Sequence, residues 1–217
     1  MSLHEDGLKS RQSRLKEFKS GAWGSFSQDF ARLAYMLFEH SLQYAKQVDG
    51  NCSIYSLAGI PVLFSALRCL LIELNDGMHG AGVTRPDVLR DLAHSSSDVS
   101  VILAHYAIPD LLRERLNLLV QVRHEIVHPS HRPSGEPNNT PAYLRYLRDA
   151  RLLQSTEKEV DYPWLAQLQS HRLFRWTFEV IQDTVDALLC EHDVTGLPAD
   201  GLRGSYSRYE KLDAAAT

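Results

Sequence analysis

Helical periodicity runs through the chain from about residue 27 to residue 190, and no convincing run of alternating strand residues interrupts it. The first apolar stripe recurs at spacings of three and four behind Ser27, which is a candidate helix N-cap. Its members are Phe30, Leu33, Ala34, Leu37, Phe38 and Leu42. This pattern argues against folds built on sheets, and it predicts an all-α fold.

The same signals predict three more long helices. The second spans about Ser53–Leu74, where Pro61 either kinks the helix or opens its main segment. The third begins at Pro109 and ends before Pro129, and the last follows Ser170. The buried side of the last helix is predicted to carry Leu173, Trp176, Val180, Ile181, Thr184 and Leu188. Shorter helices are predicted at about 86–93, 98–106 and 141–153. The result is a bundle of about four long helices with short extra ones.

A chain of 217 residues is long enough for one domain with a real core. We expect an N-terminal extension, partly helical, over residues 1–26, followed by a helical domain over 27–192. Glycine, serine and alanine prevail after Thr195, so we expect residues 193–217 to be a loosely ordered tail.

Charge and cysteine content limit the classes of partner and compartment. The formal net charge is −4, so any contact with nucleic acid needs a local basic patch. Cys52, Cys69 and Cys190 are widely spaced and include no CxxC pair, which is typical of buried thiols in a reducing compartment. The N-terminal segment lacks the apolar core of a signal peptide, and the longest apolar run is interrupted by Pro61 and Glu73. We therefore expect a cytoplasmic protein that does not enter a membrane.

The end of the third helix reads "RHEIVH", which contains the zinc-protease pattern His-Glu-x-x-His. His124 and His128 lie four residues apart, a spacing that lets two imidazoles bind one zinc ion with Glu125 as the base. Such a site needs a third ligand, and none stands at a decisive spacing. The candidates are His131, Glu157 and Glu159. Pro129 also ends a helix that zinc proteases of this type normally continue, so the metalloprotease is a remote alternative, and we expect no bound metal.

The same stretch has a second interpretation that uses Arg123. The run of Arg123, a polar His124 and a closing His128 resembles the motif of the HEPN superfamily, in which an Arg and a polar residue precede a His. The resemblance implies an all-α bundle with the motif at the end of a long helix. It also implies a homodimer that brings two motifs together, and a metal-independent endoribonuclease that requires no cofactor.

The residue types suit that chemistry. RNA can be cut by its own 2′-hydroxyl when a base removes the hydroxyl proton and a cation neutralises the charge that gathers on the phosphate. A histidine can serve as base or acid, and an arginine fork holds two phosphate oxygens. Arg123 and His128 are five residues apart, about 140° around an ideal helix, so a partner helix or a frayed helix end is needed to aim both at one atom. His124 is expected to position the phosphate or to act as a second acid–base group.

Each motif residue also has a structural explanation. His128 before Pro129 could be a helix C-cap that interacts with the helix dipole. Arg123 could be a surface side chain, and Glu125 a solvated partner for a nearby cation. Together with the acidic net charge, these explanations favour a second function, a non-catalytic HEPN-like binding or scaffold protein with an antitoxin or other protein partner in a toxin–antitoxin or defence system.

Four further residues are candidate site residues. Glu73 is a charge within an apolar stretch, and the HEPN resemblance implies an acidic residue beside the motif that orients the arginine; its alternative is an exposed helix end. Arg145, Arg148 and Arg151 recur every three residues, with one tyrosine before the first and one between the first two. They are candidate contacts for an RNA backbone, and the alternative is a solvated helix face.

Overall fold

The structure is a computed structural model that describes residues 25–48, 51–76, 85–93, 99–129, 141–154 and 164–214. These residues form ten helices, of which four are long: α1 (Phe26–Gln47), α2 (Tyr55–Asn75), α5 (Asp110–Val127) and α8 (His171–Glu191). The short helices are α3 (Pro86–Ala93), α4 (Val99–Leu103), α6 (Ala142–Asp149), α7 (Trp164–Gln167), α9 (Leu197–Tyr206) and α10 (Arg208–Ala214). Within the described ranges, the only β pairing is an isolated antiparallel bridge between Cys52 and Ser170. The predicted all-α fold is confirmed.

The core forms where α2 packs along α1 and against α8. Gly59 of α2 lies against the Phe174 ring of α8, so closely that a Cβ atom at Gly59 would stand 1.9 Å from the ring Cζ. Phe38 of α1 meets the rings of Phe174 and Phe178 edge-on, with centroids 5.5 and 5.3 Å away. The six side chains predicted for the buried side of the last helix are all buried.

Helix α2 is continuous through Pro61, which neither opens the helix nor divides it. The Ser65 hydroxyl donates to the Pro61 carbonyl at 3.1 Å, an internal hydrogen bond one turn later. By length and composition alone α2 could cross a membrane, since its most apolar window has a mean hydropathy of 1.9. More than half of that window is buried inside the chain, however, and a core helix passes the same test, so this is weak evidence for a membrane location.

The N-cap of α1 lies two residues before the predicted one. Ser25, not Ser27, is the N-cap, and its hydroxyl accepts from the Gln28 N–H at 3.3 Å. Ser27 instead donates its N–H and its hydroxyl to the buried Glu73 carboxylate, at 2.9 and 2.6 Å. A residue 46 positions away in sequence therefore binds the serine that was predicted to be the cap.

The C-terminal segment differs from the loosely ordered tail that its composition suggests. Residues 197–214 form α9 and α10, and Tyr206 is fully buried. Tyr209 packs against Phe178 and Phe38, with ring centroids 5.2 and 5.9 Å apart. These aromatic contacts with distant helices, rather than local helix propensity, explain why the segment is ordered. Residues 1–24 and 215–217 lie outside the described part of the chain.

The cysteines are less uniformly buried than expected. Cys190 is exposed, because it falls on the solvent side of α8, and Cys52 and Cys69 are half-buried. Burial, helped by the Glu73 carboxylate, raises the pKa of Cys69 to about 11. Cys69 is therefore a protonated, inert thiol at neutral pH.

Candidate active site

The end of α5 carries the three motif residues. The helix starts after Pro109 and its last helical residue is Val127, as the sequence predicts. His128 is the C-cap, with φ −130° and ψ 68°, and its N–H donates to the His124 carbonyl at 2.8 Å. Proline disfavours the α conformation at the residue before it, so Pro129 accounts for this departure from the helix. The helix thus unwinds at His128.

The two histidines lie side by side in solvent. Both side chains are exposed, and their ring centroids are 5.3 Å apart with the ring planes tilted by 54°. This distance allows one phosphate group to contact both imidazoles. The structure therefore brings His124 and His128 together at one accessible helix end.

Arg123 lies on a different side of α5. Adjacent residues of an α-helix are about 100° apart, which turns Arg123 away from His124 and towards the core edge near Leu119 and Ile126. Its side chain is half-buried. Among the residues that the structure describes, Arg123 has no hydrogen-bond or ion-pair partner. A half-buried guanidinium without a partner retains its full capacity to bind an anion.

Glu125 is buried, not solvated as one interpretation of the sequence proposed. Its carboxylate is 5% exposed and accepts a long hydrogen bond of 3.5 Å from the Tyr143 hydroxyl of α6. The start of α6 therefore lies beside the part of α5 that carries the histidines. Tyr143, which precedes the three candidate arginines in the sequence, is an internal residue here.

The metalloprotease alternative receives no support from this geometry. Glu125 is directed to Tyr143, and the described residues contain no group of three or more His, Cys, Asp or Glu side chains that could hold a metal ion. The candidate third ligands His131, Glu157 and Glu159 lie outside the described residues.

A groove separates the end of α5 from the start of α6. Its volume is about 420 Å³. It is lined by Val120, Gln121, His124, Glu125, Pro141, Ala142 and Tyr143. The sequence patterns did not predict this groove. Gln121 could have been found, because it precedes His124 by one helical turn, whereas the α6 residues follow a separate segment and carry no local signal.

Glu73, near the end of α2, lies against the start of α1. Its buried carboxylate accepts from the Ser25 hydroxyl at 2.8 Å and from both donor groups of Ser27. In the described part of the chain Arg123 is not among its partners. The structure thus gives Glu73 a stabilising contact between α1 and α2, and it is neither an exposed helix end nor placed on the motif arginine.

The three arginines near α6 do not form one stripe. Arg145, Arg148 and Arg151 are all exposed, but Arg151 lies beyond the helix end with a φ of 55°. Arg148 donates to the Gln167 side chain at 3.4 Å. Arg145 follows Ala142 by three residues and so shares the exposed side of α6 that continues from the groove. Of the three, Arg145 is best placed to meet a strand that leaves the site.

No protein-family model, no curated protein and no solved structure matches this chain.

Proposed function

We propose that this protein is a HEPN-like, metal-independent endoribonuclease whose active site contains Arg123, His124 and His128. One observation carries the proposal: two exposed imidazoles with centroids 5.3 Å apart at a helix end whose other side carries a half-buried Arg123 that has no partner among the described residues. Acid–base pairs of this kind cut RNA when an adjacent cation neutralises the phosphate.

The reaction uses the 2′-hydroxyl of RNA as nucleophile. One imidazole, assigned to His128, removes the hydroxyl proton as O2′ attacks the phosphorus. The bond between phosphorus and O5′ then breaks, and a second imidazole gives its proton to the leaving oxygen. The products are a 2′,3′-cyclic phosphate and a 5′-hydroxyl. The Arg123 guanidinium binds two non-bridging oxygens and neutralises the charge that they gain.

The separation of Arg123 from the histidines favours a site shared by two chains. Because Arg123 and His124 differ by about 100° around α5, one helix does not aim both at the same phosphate. A two-fold dimer overcomes this difficulty, since the arginine of one chain can meet the histidines of the other. We propose a homodimer on this ground. We also propose that the protein is cytoplasmic.

The experiment is an RNA cleavage assay with end-labelled substrates. The wild type should produce 2′,3′-cyclic phosphate ends, keep its activity in EDTA and leave DNA intact. His128→Ala should lower activity by about 10²–10⁴-fold. Arg123→Ala should lose about 10²–10³-fold, and Arg123→Lys should recover little of it because an ammonium group cannot form the two-pronged contact.

Matched controls are His40→Ala and Arg172→Ala, which change the same residue types at exposed positions on α1 and α8. Both should cut RNA at the wild-type rate. Equal cleavage by wild type and His128→Ala, or activity that disappears in EDTA, would refute the catalytic role.

A second function, a non-catalytic HEPN-like binding or scaffold protein in a toxin–antitoxin or defence system, is favoured by two observations. Arg123 and the two histidines point to different sides of α5, and the net charge is −4. In that case the wild type would cut no RNA, and Arg123→Ala would weaken the binding of an RNA or protein partner instead.

A further inference from the structure

We propose that the groove between α5 and α6 binds a nucleobase, and that it prefers bases carrying an exocyclic amino group. The inference rests on the proposed ribonuclease function for the choice of RNA as ligand, because His124 belongs both to the groove and to the candidate active site. A base in the groove would place its own phosphate beside the two histidines.

The size and walls of the groove suit a flat ring. Its volume of about 420 Å³ falls within the ~300–1,000 Å³ range of small-molecule sites. Val120, Pro141 and Ala142 give it aliphatic surface on which an aromatic ring can stack. Gln121 and His124 bring polar groups to its edge, and both are exposed.

Charge decides which part of a nucleotide enters. Glu125 lines the groove and its carboxylate is buried, so a phosphate inside would be repelled. The phosphate instead belongs outside, with the histidines, and a neutral base belongs inside.

The same carboxylate sets the preference among bases. An ionised carboxylate has about four acceptor positions, so Glu125 can accept from a base amino group in addition to its present partners. Cytosine has such an amino group at position 4, where uracil has a carbonyl oxygen. The Glu125 carboxylate attracts the amino group of cytosine and repels the carbonyl oxygen of uracil.

The test is an NMR titration of the full chain with cytidine 3′-monophosphate and, separately, uridine 3′-monophosphate. These ligands differ at the base alone, at position 4, which Glu125 is proposed to recognise, and at the adjacent N3, which carries a hydrogen in uracil only. Both should shift the amide signals of residues 120–125, 142 and 143. The cytidine nucleotide should bind about tenfold more tightly, the effect of one hydrogen bond to a charged group.

Three variants sharpen the result. Glu125→Gln replaces two acceptors by one acceptor and one donor, so the cytidine preference should disappear or reverse. Ala142→Leu fills the groove and should weaken both ligands about tenfold or more, whereas Ala104→Leu, at an exposed turn before α5, should change neither. A melting temperature for each variant shows whether it is folded. If Ala142→Leu is not folded, the nucleotide preference of Glu125→Gln alone tests the proposal.

Two results would overturn the inference: no shift of the groove signals at up to ~10 mM nucleotide, or equal affinities for the two nucleotides in the wild type. Failure of the proposed function looks different. If the wild type cuts no RNA but prefers cytidine and Glu125→Gln reverses that preference, the ribonuclease proposal fails and the groove assignment stands.

Discussion

Arg151 has a left-handed backbone conformation, with a φ of 55°, that usually belongs to glycine. Its N–H donates to the Arg148 carbonyl at 2.8 Å, and the next N–H, of Leu152, donates to Leu147 at 2.9 Å. These two bonds make a Schellman motif that closes α6. Asp193, with a φ of 52°, closes α8 in the same way.

Replacing Arg151 by glycine should therefore stabilise the protein. Glycine adopts this conformation without the Cβ clash, so Arg151→Gly should raise the free energy of unfolding by about 0.5–1 kcal/mol. Urea denaturation measures the change. Arg151→Ala is the control, since it removes the same side chain but keeps the Cβ atom, and it should give no gain. Equal stability of the two variants would contradict this account of the α6 end.

His192 belongs to a buried polar network below the end of α8. Its Nε2 atom is 3.3 Å from the Tyr106 hydroxyl, which also accepts from the Asn75 amide at 2.7 Å. Arg85 lies over the Tyr106 ring at 4.6 Å and forms an ion pair with Glu191. The Nδ1 atom of His192 is buried and has no hydrogen-bond partner among the residues that the structure describes. The ring is thus held in a place that suits its neutral form.

Burial, aided by the Arg85 charge and opposed by Glu191, lowers the pKa of His192 below its ordinary value of 6.5. Below pH 6.5 the unfolded chain binds a proton at His192 more readily than the folded chain does. The contribution of the neutral His192 to the free energy of unfolding is therefore complete above pH 6.5 and is lost as the pH falls. The loss should be at most about 1.4 kcal/mol per pH unit. His192→Gln, which cannot titrate, should flatten the dependence of unfolding free energy on pH between 5 and 7. An unchanged slope in that variant would show that His192 is not responsible.

At the scale of helices, local signals predicted elements well where those signals act alone. Proline residues on both sides bound α5, and Ser170 caps α8 by accepting from the Leu173 N–H. Prediction failed where a distant residue intervenes. Ser27 was assigned as a cap, but Glu73 occupies its hydroxyl, and the final helices depend on aromatic contacts that composition does not reveal.

For the candidate site, too, local signals predicted one part and did not reveal another. The sequence placed Arg123, His124 and His128 on one helix end, and the structure confirms that location. The spacing could not show that Glu125 is buried under Tyr143, because that contact joins two helices separated by a segment without a repeating pattern. The groove follows from this packing, so no single-helix argument could have found it.

The contact between α2 and α8 tolerates no side chain at Gly59. Alanine there would press its Cβ atom into the Phe174 ring, which is fully buried and has little room to move. Gly59→Ala should lower the free energy of unfolding by about 1–3 kcal/mol, despite alanine's better helix propensity. Thermal or urea unfolding measures it.

Gly204 in α9 is the matched control, because a Cβ atom there would meet no other atom within 4 Å. Gly204→Ala should raise the free energy of unfolding by up to about 1 kcal/mol. Adding Phe174→Leu to Gly59→Ala should recover part of the loss. A stabilising Gly59→Ala would mean that the two helices are not packed as described.

At the scale of the whole molecule, the proposed shared site makes a prediction that no single-chain site makes. Arg123→Ala and His128→Ala should each be inactive alone, but mixed chains should regain about a quarter of wild-type activity, since half of the random dimers are mixed and each restores one of two sites. RNA cleavage before and after subunit exchange measures this, with light scattering to confirm dimers.

Mixing Arg123→Ala with Arg123→Ala,His128→Ala is the control, because neither chain then supplies the arginine. Dimers that form and exchange without regaining activity in the first mixture would show that each site lies within one chain. A monomer at micromolar concentration would also exclude the shared site.

The packing of Tyr209 against Phe38 has a consequence for synthesis of the chain. The aromatic cluster around Phe38 also includes Phe174 and Phe178, so three of its rings come from the second half of the sequence. A ribosome releases Phe38 long before it has made any of them. Helix α2 can cover part of α1 as soon as it has been made, but the side of α1 around Phe38 stays uncovered until α8 and α10 have emerged. The long interval makes the nascent α1 a natural binding segment for chaperones.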